Sequence, residues 1–371
     1  MRPIRYLYAL LAALLMLLPS TPALSGERTV TDSMNREVAV PAEVSRVICS
    51  GPGCLRLLTY LEAQHMAVAV DDIEVRRRSF DARPYAMANP QFKTLPVFGQ
   101  FRGHDNPELI LTLEPQPQVI FKTFPTRGHD PVELQNKTGI PVVTLDYGTL
   151  GSQRQALYQS LRTMAEVVGR QDRAEAVIAF MEGQIEDLKR RTADIPEEER
   201  PSAYIGGVAM SGPHGFQSTE PGYPPFVFAG VRNLAYREGL TGKDLTHANV
   251  AKEMIVQWNP EYLFLDLSTL QMGDKAGGLH ELRTDPAYRT MAAVREGRVY
   301  GLLPYNWYTQ NFGSILADAF FIGKLVHPDR FEDVAPAAKA DEIYTFLLGK
   351  PLFEEMNGMF GNFAFTKVPV N

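Results

Sequence analysis

The stretch ELILTLEP at residues 108–115 has a near-copy farther along the chain, EMIVQWNP at residues 253–260. In both, a glutamate opens the run, apolar residues follow, and a proline comes seven residues after the glutamate. Each copy continues into a short apolar run, QVIF at residues 118–121 and YLFL at residues 262–265. Because proline disfavours helical geometry in the residue before it, each copy predicts a helix, a stop and a buried strand. The chain therefore holds the same small unit twice.

Short segments rich in β-branched residues and bounded by Gly, Pro or Asp are typical of buried parallel strands. They lie at residues 46–49, 67–70, 119–122 and 142–145 in the first half, and at residues 202–206, 262–266 and 299–302 in the second. Helical patterns lie between them, for example at residues 54–63. This alternation predicts an α/β protein with short, mainly parallel sheets flanked by helices.

One helical pattern, at residues 172–191, is long and charged, and a polar segment with prolines follows it. The strand and helix pattern then starts again, so this helix is interpreted as a connection between two lobes. The alternative is an ordinary surface helix inside one domain. A chain of 371 residues is long enough for two domains. We expect an N-terminal α/β lobe at residues 26–170, an interdomain helix at 171–193, a C-terminal α/β lobe at 194–371, and a ligand cleft between the lobes.

The N-terminus has the features of an export signal. Arg2 and Arg5 precede an apolar run at residues 6–19, and small residues before Gly26 form a cleavage site. This pattern predicts a secretory signal peptide at residues 1–25. The alternative is an uncleaved anchor, for which the apolar run is short. Since no cysteine lies near the cleavage site, we expect a periplasmic protein without a lipid anchor.

Composition and motifs exclude several function classes. A net charge of −6 argues against nucleic-acid binding, which requires a positively charged surface. No nucleophile elbow, P-loop or dinucleotide fingerprint follows a strand, so we expect no enzyme. The seven histidines form no metal-binding motif, and only His214 lies in a strand-end loop. We therefore expect no resident metal and no intrinsic cofactor.

The only two cysteines, Cys49 and Cys54, lie in the segment CSGPGC. Export makes a disulfide possible, provided that the two Cα atoms are close enough. Two buried free thiols are the alternative, and the sequence leaves both open.

Several segments, in this order behind a signal peptide, resemble one family. The chain resembles the substrate-binding proteins of ABC importers, in the cluster that captures cobalamin and ferric-siderophore complexes. The segments that carry the resemblance are residues 29–49 (TVTDSMNREVAVPAEVSRVIC), 106–121 (NPELILTLEPQPQVIF), 161–188, 231–239 (VRNLAYREG), 251–266 (AKEMIVQWNPEYLFLD) and 293–308 (AVREGRVYGLLPYNWY). The resemblance implies two lobes, a rigid helix between them and limited closure on binding.

The resemblance also implies a role for the glutamate that opens each repeated unit. In similar proteins one exposed glutamate on each lobe meets an arginine pocket of the membrane permease, and by motif match these are Glu108 and Glu253. Arginine–carboxylate pairs are geometrically selective, which suits a two-point dock. The alternative is that each glutamate only favours the helix dipole in its first turn.

Ligand-facing residues of parallel α/β sheets follow the carboxyl ends of strands. In the second half the loop at residues 208–226 is Gly/Pro-rich, and the aromatics at residues 305–308 follow a strand directly. The alternatives are that residues 50–53 form only a tight turn and that the aromatic side chains belong to the hydrophobic core of their lobe. The predicted ligand-binding residues are Ser50, Gly51, Gly53, Asp72, Gln100, Arg102, Lys122 and Tyr147 in the first half, and His214, Ser218, Thr219, Glu220, Tyr223, Tyr305, Trp307 and Tyr308 in the second.

Aromatic side chains at a cleft suit a large, partly apolar ligand. The hypothesis is therefore an exported monomer that captures a metal chelate (a ferric siderophore, haem or a corrinoid) and delivers it to an ABC permease with its cytoplasmic ATPase. One alternative is an oxyanion binder for molybdate or tungstate, which would use backbone N–H groups and small hydroxyls. Another is a sensor or docking protein without a transport role.

Overall fold

The computed structural model describes residues 26–76 and 79–370. The predicted signal peptide lies outside these residues. Among the helices of the described part, none is both long enough and apolar enough to cross a bilayer.

The first half is built on one six-stranded sheet, preceded by an antiparallel hairpin of β1 (Glu27–Thr31) and β2 (Glu37–Pro41). The strand order is β6-β5-β4-β3-β7-β8, and every neighbouring pair is parallel except β5 and β6. The strands are β3 (Val47–Ser50), β4 (Ala67–Asp71), β5 (Val97–Gln100), β6 (His104–Asp105), β7 (Val119–Thr123) and β8 (Val142–Leu145).

Helices cover both faces of this sheet, as parallel strands require. They are α1 (Cys54–Tyr60), α2 (Asp72–Val75), α3 (Pro84–Ala88), α4 (Pro107–Leu111), α5 (Pro131–Thr138) and α6 (Arg154–Val168), with 3₁₀ turns at Gln64–Met66 and Pro90–Thr94. Helix α6 ends at Gly169, whose φ of 67° is a left-handed cap that favours glycine.

The second half has a four-stranded, wholly parallel sheet in the order β11-β9-β13-β14, and a separate antiparallel pair of β10 and β12. The strands are β9 (Ser202–Gly206), β10 (Ser218–Thr219), β11 (Arg232–Asn233), β12 (Ala248–Asn249), β13 (Tyr262–Asp266) and β14 (Val299–Leu302). This is the α/β architecture with parallel sheets that the sequence predicts.

Helix α7 (Gln171–Thr192) joins the halves, and eight further helices follow it. They are α8 (Pro224–Ala229), α9 (Lys243–Thr246), α10 (Lys252–Trp258), α11 (Gly277–Thr284), α12 (Ala292–Arg295), α13 (Phe312–Val326), α14 (Pro336–Leu348) and α15 (Phe353–Met359), with 3₁₀ turns at Glu197–Glu199, Leu267–Met272 and Tyr288–Thr290.

The two halves share a hydrophobic core. Helix α7 packs on α6 of the first half and on α8 and α13 of the second. Helix α14 makes a second connection, because it packs on α13 and also reaches α1 and α3 of the first half. One continuous cluster of buried side chains therefore runs through both halves. Such a shared core opposes a large hinge motion, since opening would expose apolar surface.

The repeated unit forms a helix followed by a strand in both places, as α4 with β7 and α10 with β13. The prolines do not act alike. Helix α10 runs to Trp258 and ends at Asn259, whose left-handed φ of 46° closes it just before Pro260. Helix α4 already ends at Leu111, well before Pro115. The expectation that proline ends both helices is therefore wrong for the first copy.

Candidate functional site

A cavity of about 430 Å³ lies where the strand-end loops of the two halves meet, and we call it the cleft. Loops after β3, β4, β5 and β7 form one side, and loops after β9, β13 and β14 form the other. Ligand sites of parallel sheets lie at this edge. The lining residues are Pro52, Ile73, Phe101, Arg102, Phe124, Arg127, Ala209, Met210, Ser211, Gly212, Gln271, Asn306, Trp307, Tyr308 and Thr309.

The cleft carries two guanidinium groups and no carboxylate among its lining residues. Arg102 stacks its guanidinium over Phe101 at 5.1 Å, and Arg127 stacks over Phe124 at 5.7 Å. Within residues 26–76 and 79–370, neither side chain has a salt bridge or a hydrogen-bond acceptor. Two such arginines can bind an anion through paired, charge-assisted hydrogen bonds.

Backbone strain is concentrated in the cleft. Five residues other than glycine have positive φ there: Arg102 (66°), Phe124 (51°), Ser211 (59°), Tyr308 (50°) and Thr309 (62°). Each such conformation costs free energy and persists only where the surroundings hold it, which is common at functional sites.

One hydrogen-bond chain crosses the cleft from half to half. The Tyr308 hydroxyl donates to Oδ2 of Asp71 at 2.5 Å and accepts from the backbone N–H of Arg102 at 3.0 Å. Tyr308 follows β14, whereas Asp71 ends β4 and Arg102 follows β5. These bonds therefore fix the loop that carries Arg102 in one half against residues 304–311 of the other half, which we call the aromatic loop.

Arg56 makes a second connection below the cleft. It lies on α1, is 1% exposed, and donates to the carbonyl of Gln310 at 2.8 Å and to the carbonyls of Trp307 and Tyr308 at 3.3 Å. The hydroxyl of Tyr147 donates to the same Gln310 carbonyl at 2.7 Å. Arg56 thus holds the backbone of the aromatic loop in place.

The buried carboxyl of Asp71 predicts a pH dependence of stability. Burial, with Glu74 nearby, raises the pKa of Asp71 from 3.8 to about 8. Between these values the unfolded chain has released a proton that the folded chain keeps, so the free energy of unfolding falls as pH rises. One such group contributes up to about 1.4 kcal/mol per pH unit. We expect wild type to lose stability relative to Asp71→Asn between about pH 5 and about pH 8 in urea unfolding; parallel curves would contradict this.

Of the predicted ligand residues, Arg102, Trp307 and Tyr308 line the cleft. Their role in binding stays a prediction. The structure places the other thirteen elsewhere.

Lys122 and Ser50 are buried and do not line the cleft. Lys122 is fully buried, pairs with Asp105 and donates to the carbonyl of Gly103 at 3.1 Å, while the Ser50 hydroxyl donates to the same Asp105. An ammonium group in the interior requires such a partner. The pair instead fixes the turn at Gly103, directly after Arg102.

The other residues predicted in the first half lie outside the cleft. A Cβ on Gly51 would lie 2.7 Å from the carbonyl oxygen of Thr123, and one on Gly53 would lie 2.1 Å from the ring of Tyr147. These glycines and Tyr147 therefore pack against protein. Asp72 and Gln100 line a different cavity, a groove of about 750 Å³ on the first half that also contains Glu108.

The second-half loop is mostly interior. Ser218 and Thr219 form the buried strand β10, and His214 is within hydrogen-bonding distance of the Met210 carbonyl at 2.9 Å. Glu220, Tyr223 and Tyr305 are buried together, and the Tyr305 hydroxyl donates to Glu220.

The sequence reasoning missed Arg127 and Phe124. Both lie in the segment FPTRGHD at residues 124–130, directly after β7. A signal for them is present, since a Gly- and Pro-containing segment follows a strand there.

No group of three or more His, Cys, Asp or Glu side chains in the described residues could hold a metal ion. Cys49 and Cys54 are both buried and not joined by a disulfide. Burial raises the pKa of the Cys54 thiol, which keeps it protonated and unreactive.

A family model described as "Periplasmic binding protein" matches residues 47–305. The molybdate-binding protein MolA of Haemophilus influenzae is 22% identical over 356 residues, covering 88% of this chain and 92% of MolA. A periplasmic solute-binding protein of Veillonella parvula superposes with a TM-score of 0.69 at 17% identity, covering 90% of this chain and 97% of that one. The haem-binding protein HutB of Vibrio cholerae superposes with a TM-score of 0.54 at 18% identity, covering 76% and 99%. These likenesses establish a shared fold.

Proposed function

The chain belongs to the periplasmic binding protein family, and from this membership we propose that it captures an anionic metal chelate in the cleft and delivers it to an ABC permease. The observation that carries the proposal is the pair of arginines, Arg102 and Arg127, without a carboxylate partner among the described residues. A ligand that supplies the missing negative charge would complete both. The role is one of binding and transfer, without catalysis.

The aromatic walls favour a chelate over a bare anion. Phe101, Phe124, Trp307 and Tyr308 surround the two arginines. Aromatic side chains offer large contact area at low entropic cost, which an organic ligand body uses and a small inorganic anion does not. A cavity of about 430 Å³ is within the range of small-molecule sites, roughly 300–1,000 Å³. A compact anionic chelate, such as a small ferric siderophore, therefore fits better than a corrinoid.

An oxyanion is the second candidate, and two observations favour it. The same arginines suit molybdate, and a relative that covers 88% of this chain is named a molybdate-binding protein. In that case the aromatic side chains would act only as walls that exclude water.

Tryptophan fluorescence distinguishes the two candidates. Trp307 is 6% exposed and lines the cleft, so a bound iron complex should quench it. In a Trp258→Phe background, Trp307 is the sole tryptophan. We expect saturable quenching by ferric citrate or haemin, and no competition by molybdate. Tight binding of molybdate, with no response to either iron complex, would replace the chelate by the oxyanion.

A further inference from the structure

A second cavity, of about 420 Å³, lies between the loop that precedes α6 and helix α8, and we call it the lateral cavity. Its walls are largely apolar and include Pro224, Val227 and Phe228. Among the described residues, it shares no lining residue with the cleft. The aromatic loop separates the two, because Thr309 lines the cleft and Gln310 lines the lateral cavity.

Two residues that line this cavity have polar atoms without complete partners. Glu220 lines it and is 4% exposed; its Oε2 accepts from Tyr305, and the described residues offer no hydrogen-bond donor to Oε1. Gln310 also lines it, and its buried side-chain oxygen has no partner in the same part of the chain. Buried polar atoms are normally satisfied, so the side-chain oxygen of Gln310 points to a missing donor, and Oε1 of Glu220 is free to accept one.

The interior behind Glu220 is acidic. Asp266 and Asp318 are 1% and 0% exposed, and their described hydrogen bonds come from the backbone N–H groups of Ser268 and Leu303. No basic side chain in residues 26–76 or 79–370 forms a salt bridge with any of the three carboxyls. Burial raises the pKa of Glu220 to about 8 and that of Asp266 to about 6. Without a salt-bridge partner in the described part of the chain, Glu220 is therefore mostly a neutral acid at neutral pH.

We propose that the lateral cavity binds a small organic monocation, an ammonium group on an apolar body, with Glu220 as its counter-ion. The ammonium donates to Glu220 and to the side-chain oxygen of Gln310, and Glu220 releases its proton to solvent. The apolar body fills the space between Pro224 and Phe228. Buried carboxyls of this kind favour a cation as partner.

The charged groups at the rim do not reverse this preference. Arg200, Arg232 and Glu197 line the mouth; Arg232 and Glu197 are exposed, whereas the half-buried Arg200 donates to the Ile195 carbonyl at 3.3 Å. Exposed charges are screened by water and salt, whereas Glu220 acts in the dry interior.

Three ligands with one ring and different charge test the proposal. Benzylamine, benzyl alcohol and benzoate are titrated into wild type by calorimetry and ligand-observed NMR. We expect benzylamine to bind at least about tenfold more tightly than benzyl alcohol, as charge-assisted hydrogen bonds are stronger than neutral ones. Titrations in two buffers of different ionisation heat should show the released proton. Equal or tighter binding of benzyl alcohol or benzoate, or no binding of benzylamine, would overturn the proposal.

Variants locate the site. Glu220→Gln should lose the preference for benzylamine, and Val227→Trp should block the cavity from its rim, where Val227 is 60% exposed. The matched control is Val132→Trp on α5, because Val132 is 50% exposed and lies outside the cavity. Benzylamine binding that survives both Val227→Trp and Glu220→Gln would contradict the assignment. Ferric citrate binding in the cleft should be unaffected by Val227→Trp, so this result and that of the proposed function are independent.

Discussion

A variant in which Arg102 and Arg127 are both replaced by alanine is expected to bind ferric citrate about 100-fold more weakly than wild type, or worse. Each guanidinium is open to a ligand in the cleft and has no acceptor among the described residues. A hydrogen bond to a charged group contributes about 1.5–3 kcal/mol, and about 1.4 kcal/mol is a tenfold change in affinity. Loss of both groups therefore removes about 3 kcal/mol or more. Quenching of Trp307 measures the affinity directly.

Two further variants separate charge from geometry. Arg237→Ala removes an exposed arginine that lies outside the cleft, and should leave the affinity unchanged. Replacing Arg102 and Arg127 by lysine keeps the charge but loses the planar, two-pronged donor geometry, so an intermediate affinity is expected. If the double alanine variant binds ferric citrate as tightly as Arg237→Ala does, the arginines are not the anion site.

The strands were predictable because a strand that is buried on both faces requires a short run of apolar, β-branched residues. All seven predicted segments are strands, and β8, β9, β13 and β14 have the predicted bounds. The family resemblance is likewise confirmed. The short strands β6, β10, β11 and β12 were missed, since two residues are too few for a period to be visible.

Most of the site was not predictable, because sequence places a residue at a strand end without giving its direction. Lys122 is the last residue but one of β7 and Tyr305 follows β14, yet both side chains turn into the interior to meet Asp105 and Glu220. Burial partners of this kind come from distant parts of the chain. Arg56 is the opposite case. It lies in an apolar helix pattern that predicts no role at the site, yet its side chain holds the backbone of the aromatic loop.

The surroundings of the two repeated glutamates differ. Glu108 and Glu253 are both exposed, and neither has a salt bridge to a described residue. In α4 the N-cap is already formed by Asn106, whose side chain accepts from the N–H groups of Glu108 and Leu109. Capping therefore does not explain Glu108. In α10 no side chain forms the cap, and in both helices the dipole remains the alternative reason for a glutamate in the first turn.

Each glutamate is followed by an exposed apolar residue. Leu109 is 42% exposed and Met254 is 41% exposed. On α4, Leu111 is also exposed, at 45%. A carboxylate beside an exposed apolar side chain, once on each half, suits a two-point protein interface in which arginine pairs give register and apolar contact adds area. We propose that the permease contacts these two patches.

Reversing both charges, as Glu108→Arg with Glu253→Arg, is expected to reduce uptake of radiolabelled ferric citrate at least tenfold while its affinity for the purified protein stays unchanged. Two repulsive contacts replace two attractive ones, and like-charge contacts across an interface cost several kcal/mol. Uptake is measured in cells in which this chain is the sole binding protein. The matched control reverses one exposed glutamate on each half outside the repeated units, Glu43→Arg with Glu238→Arg. Equal uptake by the two double variants would reject docking through the repeated glutamates, and an absence of uptake by wild type would favour a sensor role over transport.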